Sequence, residues 1–336
     1  MHLLLALLVI APQDPSFDRI DYGKPAPYLE LHKSFGDAAR IRKVAEPLKE
    51  KTTEQTLRAI GRWIDQNLKC DEKKKYEWRN VEEVIGDGTY IGCADHALVF
   101  GALARACGIP AVWVKTMDAD WIHEFRADPK GFKGSWRGHV FVEVHVDGKW
   151  KLVDATQMVI YDAYDPKARI LPVNRFAYDK GGDPYELVLS MRWEEWKAQT
   201  RKYFENFDLK LLPVLGGRVL TRRVHVAGNA GVDKVLERCL KLGLAPGNTF
   251  NRNFDRWIPA ARGHFLVLTC VGGDFVLPEK FQKSHSPLTG DQIREALKKS
   301  PQGSARRSLE DGTQVILLYG LTEEHLAAEA ERLELD

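Results

Sequence analysis

Long apolar runs are missing from this sequence. A helix that spans a bilayer needs about 20 apolar residues, and the most apolar stretch, residues 3–11, is far shorter. No stable membrane insertion is expected. A surplus of one charge is missing too, with 49 Lys and Arg against 47 Asp and Glu. That excludes nucleic-acid binding by bulk charge, and no nucleic-acid partner is expected. Cysteine is scarce. The five are Cys70, Cys93, Cys107, Cys239 and Cys270, an odd number that suits one free thiol and leaves any pairing unreadable. No Cys-x-x-Cys or His-x-x-x-His occurs, so a structural zinc site has no support. Asp118, Asp120 and Asp128 match no calcium loop. No metal and no other cofactor is expected.

An apolar content of 44% is ample for a large core. The opening apolar run resembles the core of a secretory signal, although no Lys or Arg precedes it. Residues 1–14 are expected to be a signal peptide, giving a periplasmic or secreted protein. The competing reading is a buried N-terminal strand in a cytoplasmic one. No cysteine follows the run closely, which argues against a lipid anchor.

The chain is organised around residues 92–110. Gly86, Asp87 and Gly88 make a turn-rich approach to Gly92 and Cys93. Ala97, Leu98, Phe100, Ala102, Leu103, Ala104 and Ala106 then form a helix apolar on most of its surface, ended by Gly108 and Pro110. Cys93 falls in its first turn, where unpaired N–H groups and the helix dipole favour a thiolate. His96 lies three positions on, and packing explains it better than chemistry. Asp95 and Arg105 read as structural.

Residues 138–156 read as a β-hairpin. Valines at 140, 142, 144 and 146 alternate with Phe141, Glu143 and His145, and Asp147-Gly148 is a two-residue turn signal. His139 opens the first strand and Asp154 closes the second. Antiparallel pairing brings the two ends together, and a carboxylate beside an imidazole holds its tautomer and stabilises the imidazolium. Glu143, on the face of His139, is expected to shape the groove. His145, beside the turn, is expected to face solvent.

Three blocks in this order resemble the transglutaminase-like superfamily. They are Gly92-Cys93-x-Asp95-x-Ala97 running to Arg105 and Gly108–Pro110, then His139 with Glu143-Val144, then Trp150, Asp154 and Thr156. The resemblance covers about residues 45–165. It implies an α+β fold with a papain-like, transglutaminase-like core, a cysteine helix packed on an antiparallel sheet. It also implies Cys93 as nucleophile, His139 as general base and acid, and Asp154 as orienter. The implied reaction is acyl transfer on an amide. Water as acceptor makes a peptidase or amidase, and an amine makes a crosslinking transglutaminase. A non-catalytic binding module on the same fold is the rival, and the presence of all three residues counts against it. The backbone N–H of Cys93 can serve the oxyanion, with Tyr90 or Thr89 as the expected source of a second donor. The expected partner is a peptide or protein substrate. Oligomeric state is not readable.

The remaining chain supplies context. Residues 15–45 read as an arm with a helix capped by Asp37, and 46–213 as the catalytic domain. Residues 52–68 are an amphipathic helix. Residues 111–116 are a strand, and 117–137 show no period. That segment is either a surface loop pinned by aromatics or a substrate-facing wall offering Trp121 and Trp136. Residues 160–166 read as a turn, 187–189 as a strand and 193–207 as a helix anchored by Trp196. Residues 214–336 alternate strands and helices as a smaller α/β module. Its loop 228–231 could cradle an anion at a helix start, but it lacks the residues of a phosphate loop and is better read as a tight turn.

Overall fold

The computed structural model describes residues 19–71, 79–161, 164–171, 175–189, 193–212, 223–228, 230–242, 245–250, 254, 258–261, 264–274 and 277–334. The proposed leader and the boundary near 213–217 lie outside the described residues.

Helix α1 (Ala38–Ala45) begins at Asp37, whose side chain accepts from the Ala39 N–H. Helix α2 (Thr53–Asn67) begins at Thr52, which accepts from Gln55 N–H, and it buries Leu57, Ile60 and Ile64. Helix α3 (Val81–Asp87) has a reciprocal cap between Asn80 and Glu83 and ends on Gly88 at φ 62°, a left-handed position that glycine takes without strain. Strands β1 (Lys69–Cys70) and β2 (Thr89–Tyr90) pair in parallel beside it. Helix α4 (Cys93–Ala106) follows, with every residue from Ala94 to Arg105 buried.

Helix α4 lies on a six-stranded antiparallel sheet. Its strands are β3 (Ala111–Asp118), β4 (Gly138–Val146), β5 (Lys149–Asp154), β6 (Val159–Tyr161), β7 (Ile170–Leu171) and β8 (Arg175–Gly181). The spatial order is β6-β5-β4-β3-β8-β7. The β4–β5 turn has positive φ at both Asp147 and Gly148, the hairpin geometry that matches strand twist. Alternation sorts the faces. Val140, Val142, Val144 and Trp113 meet α4 in one core, while Val114, Phe141 and Leu152 enter another on the far face. Arg105 fastens the end of α4 to the arm and the sheet. It donates to the carbonyls of Glu30, Ala111 and Gly182 at 2.7, 2.6 and 2.5 Å.

Three expectations need correction. Segment 117–137 is not a loop throughout. Strand β3 continues to Asp118, whose side chain caps helix α5 (Ala119–Ala127) by accepting from Trp121 N–H at 3.0 Å. Residues 187–189 form a turn with Val188 at φ 54°, not a strand. Val159–Tyr161 is an edge strand where a turn was expected, because its backbone pairs with Leu152–Asp154. Helix α6 (Trp193–Glu205) falls close to the expected span and packs beside α5.

The C-terminal module is an α/β sheet. It contains β9 (Arg223–Ala227), α7 (Val232–Lys241), β10 (Ala245–Phe250), β11 (Phe265–Val271), α8 (Glu279–His285), α9 (Gly290–Leu297), β12 (Gln302–Ser308), β13 (Gln314–Gly320) and α10 (Glu323–Glu331). The order is β10-β9-β11-β13-β12, parallel except for the edge strand β12. Residues of α7 and α10 share one apolar cluster with Val114, Phe141, Leu152, Val159 and Tyr161. The module therefore covers the sheet face opposite α4. A Cβ at Gly228 would stand 1.6 Å from Thr269 Oγ1, so close packing accounts for that glycine.

Candidate active site

Helix α4 starts abruptly. Gly92 is extended and offers no capping side chain, so the first N–H groups of the helix are left for other acceptors. The approach is tied down by Asp95, fully buried, whose Oδ2 accepts from Ile91 N–H and from Arg79 Nη2, each at 2.8 Å. Arg79 also donates to Thr89 O and Thr89 Oγ1, both at 3.2 Å. These bonds hold Cys93, which is partly exposed, at a set place on the helix start.

The hairpin brings the other two residues in. The β4–β5 ladder ends at Val142–Val153, one residue before Asp154. Asp154 Oδ1 accepts from the N–H groups of Thr156 and Gln157 at 2.9 and 3.0 Å. Its Oδ2 faces His139 Nε2 at 3.0 Å. The Cys93 thiol also acts on the imidazole and helps to raise its pKa, so the two groups lie near one another. Thr116 Oγ1 donates to the His139 carbonyl at 3.0 Å, and Phe141 sets its ring edge-on at 4.8 Å.

Electrostatics follow from this packing. Burial by itself would lower the His139 pKa, but the charge and hydrogen bond of Asp154, with a further contribution from Cys93, raise it to about 9. Burial opposes ionisation of Asp154, and the His139 charge and the two backbone N–H groups reverse that, so its pKa is lowered. The pair is thus imidazolium and carboxylate near neutrality. His96 behaves differently. Burial pushes it down to about 4, and it sits against Tyr90 at 4.1 Å. It is a packed neutral ring.

A pocket of about 80 Å³ opens beside Cys93, lined by Gly92, Ala94, Gly138, Leu189, Trp193 and Trp196. The expected supporting residues fall elsewhere. Trp121 is fully buried, stacked on Phe125 at 4.9 Å, so it is core and not wall. Trp136 sits behind the pocket, with its ring 5.7 Å from Trp193. Glu143 does not shape the groove. It is fully buried on the far face, ion-paired to Lys180 and bonded by the hydroxyls of Tyr164 and, at 2.8 Å, Tyr22. A buried carboxylate needs such partners. Thr89 is held by Arg79, and the Tyr90 ring lies on His96. Neither lines the pocket. His145 is only partly exposed, tilted against Trp150 at 5.3 Å. The pocket's aromatic wall comes from Trp193 and Trp196. The reading of residues 193–207 as a helix held both, but nothing local brings that helix back over Cys93. Among the described residues no group of three or more His, Cys, Asp or Glu is placed to hold a metal ion, and no helix is long and apolar enough to cross a membrane.

A cysteine at a helix start, facing a histidine on an antiparallel sheet, defines the papain-like class of folds. Within it, the model of the transglutaminase-like superfamily matches residues 42–155, and this part of the chain is a transglutaminase-like domain. The match supports a cysteine-dependent enzyme in general terms. Among solved structures, a candidate cysteine protease from Cytophaga hutchinsonii is similar at 20% identity and a TM-score of 0.36, with 51% of each chain covered. A candidate protease from Parabacteroides distasonis is similar at 17% identity and a TM-score of 0.26, covering 38% of this chain and 26% of that one. A protein described as a TGase is similar at 14% identity and a TM-score of 0.26, covering 46% of this chain and 38% of that one. The chain thus spans about half the length of the first and less of the others. No curated protein matches the sequence.

Proposed function

We propose that this protein is a thiol hydrolase that cleaves an amide bond in a peptide or protein substrate, with Cys93 as nucleophile, His139 as general base and acid, and Asp154 as orienter. The observation that supports it most is one imidazole, held by Asp154 at 3.0 Å and acted on electrostatically by Cys93 at the start of α4. In the first half-reaction the Cys93 sulfur bonds to the carbonyl carbon and the π pair moves to oxygen. The Cys93 N–H, with no capping side chain from Gly92 at the helix start, donates to that oxyanion. The intermediate collapses, the C–N bond breaks, and His139 gives its proton to the leaving amine. Water then attacks the thioester with His139 taking its proton, and the acid and the thiol are released. Leu189, Trp193 and Trp196 suit an apolar side chain next to the scissile bond.

The test is incubation with an unfolded protein mixture and a fluorescent primary amine, read by mass spectrometry and fluorescence. New fragments that disappear with Cys93→Ala are expected. Amine incorporation in place of fragments would move the reading to crosslinking. Neither product, with Cys93 inert to iodoacetamide in the folded protein, would overturn it in favour of a binding module.

A further inference from the structure

Arg175 opens β8 opposite Asp118, while Thr116, two residues earlier on β3, pairs with His139. Residues two apart on a strand share a face, so Arg175 and His139 project from the same face in adjoining rows. The pocket-lining Gly138 belongs to the other face, paired with Met117. Arg175 Nη1 donates to the carbonyl of Arg137, two positions before His139. Among the described residues that carbonyl is its one hydrogen-bond partner. Its Nε is shut off from solvent and bonded to nothing. Asp118 acts on it by charge without a hydrogen bond, its Oδ1 accepting from Trp121 N–H at 3.0 Å and from Arg137 Nη1 at 3.4 Å. Arg137 is taken up in turn by Glu124.

The guanidinium is planar and rigid. With Nη1 occupied, the N–H bonds of Nε and Nη2 form a parallel pair matching the two oxygens of a carboxylate. Leaving a buried donor unpaired is costly, and an arriving anion would remove that cost. Burial lowers the Arg175 pKa and the charges of Asp118, Cys93 and Asp154, in that order, oppose this, so it lies within electrostatic reach of the reacting groups as well as of Asp118.

We propose that Arg175 is a specificity residue that binds a carboxylate of the substrate, on the side of the cleaved amide away from the Leu189–Trp193–Trp196 pocket. The substrate class is then a peptide with an acidic group, of a side chain or of the chain end, close to the scissile bond. This deepens the thiol-hydrolase reading, yet its binding half is independent of catalysis.

The test uses the full chain with Cys93→Ala and three random-sequence hexapeptide pools. One contains Asp and Glu and is C-terminally amidated, one lacks them and ends in a free carboxylate, and one lacks both. One of the first two is expected to bind at least about tenfold more tightly than the third, and which one does so identifies the source of the carboxylate. Arg175→Gln should abolish that preference. Arg175→Lys keeps the charge but loses the paired donors, and should weaken the preference about tenfold. It serves on its own if the Gln variant fails to fold. Equal binding of all three pools, or a preference that survives in both variants, overturns the proposal. Failure of the reaction reading is seen separately, as an inert Cys93 and no cleavage by the wild-type protein.

Discussion

At the scale of single residues, His139 and Asp154 make the sharpest expectations. The His139 pKa is raised to about 9, above the ordinary value near 6.5. Its protonation therefore contributes stability that is complete below about pH 6.5 and lost as pH rises through about 9. Asp154 is lowered, so its contribution is present above the ordinary carboxylate range and lost only as pH falls through its folded value. Thermal unfolding should show a gap between wild type and Asp154→Asn that is widest near pH 6 and narrows steadily towards about pH 9. In an NMR titration, His139 should move well down in the Asn variant. Glu143 belongs to a different device. Glu143→Ala leaves Lys180 buried without its carboxylate and should cost about 3–5 kcal/mol in urea unfolding, with little change in Cys93 alkylation. Cys93, His139 and Asp154 stood out in the sequence because each sits at the end of an element that announces itself, a helix start or a strand terminus. Glu143 was misread because strand alternation tells which face a residue takes, not what covers it. Its cover includes Tyr22, 121 positions earlier.

Among elements, helix α4 depends on small residues where the sheet approaches it. A Cβ on Gly101 would lie 2.4 Å from Trp113, whose indole is locked by donating to Ala97 O at 2.8 Å. Gly101→Ala should therefore cost about 1–3 kcal/mol in spite of a better helix propensity. Gly61→Ala meets the sulfur of Met158 at 2.2 Å, the end of a flexible side chain that can turn away. It should be close to neutral, and urea midpoints of the two variants check the contrast. Elements with a cap, a period and a stop were readable, as α2 shows with Thr52, Leu57, Ile60 and Ile64. Helix α5 was not. It runs for nine residues straight out of β3, so strand and helix periods overlap with no break between them. Strand β8 also escaped, because Arg175-Phe176-Ala177-Tyr178-Asp179-Lys180 places charges at positions that only the tertiary partners make tolerable.

For the whole molecule, the joint between the two sheets is the controlling feature. Phe141 backs His139 on one side and belongs to the cluster shared with α7 and α10 on the other. A module sharing a core with the six-stranded sheet cannot unfold alone without exposing that core to water. Calorimetry of the full chain should show one cooperative transition, and Phe141→Ala should lower it as a unit by about 3–5 kcal/mol. Two separated transitions would mean that the modules are independent. The alternation of the C-terminal half was visible in the sequence. Its docking was not, since the apolar face of a helix does not name its partner.

The most direct measurement is the rate at which iodoacetamide alkylates Cys93 at about pH 7 in folded wild type and in His139→Ala, read by mass spectrometry. A working Cys93–His139 pair should make the wild type at least about 100-fold faster. Equal rates in the two folded proteins would contradict the assignment of this site as a thiol active centre.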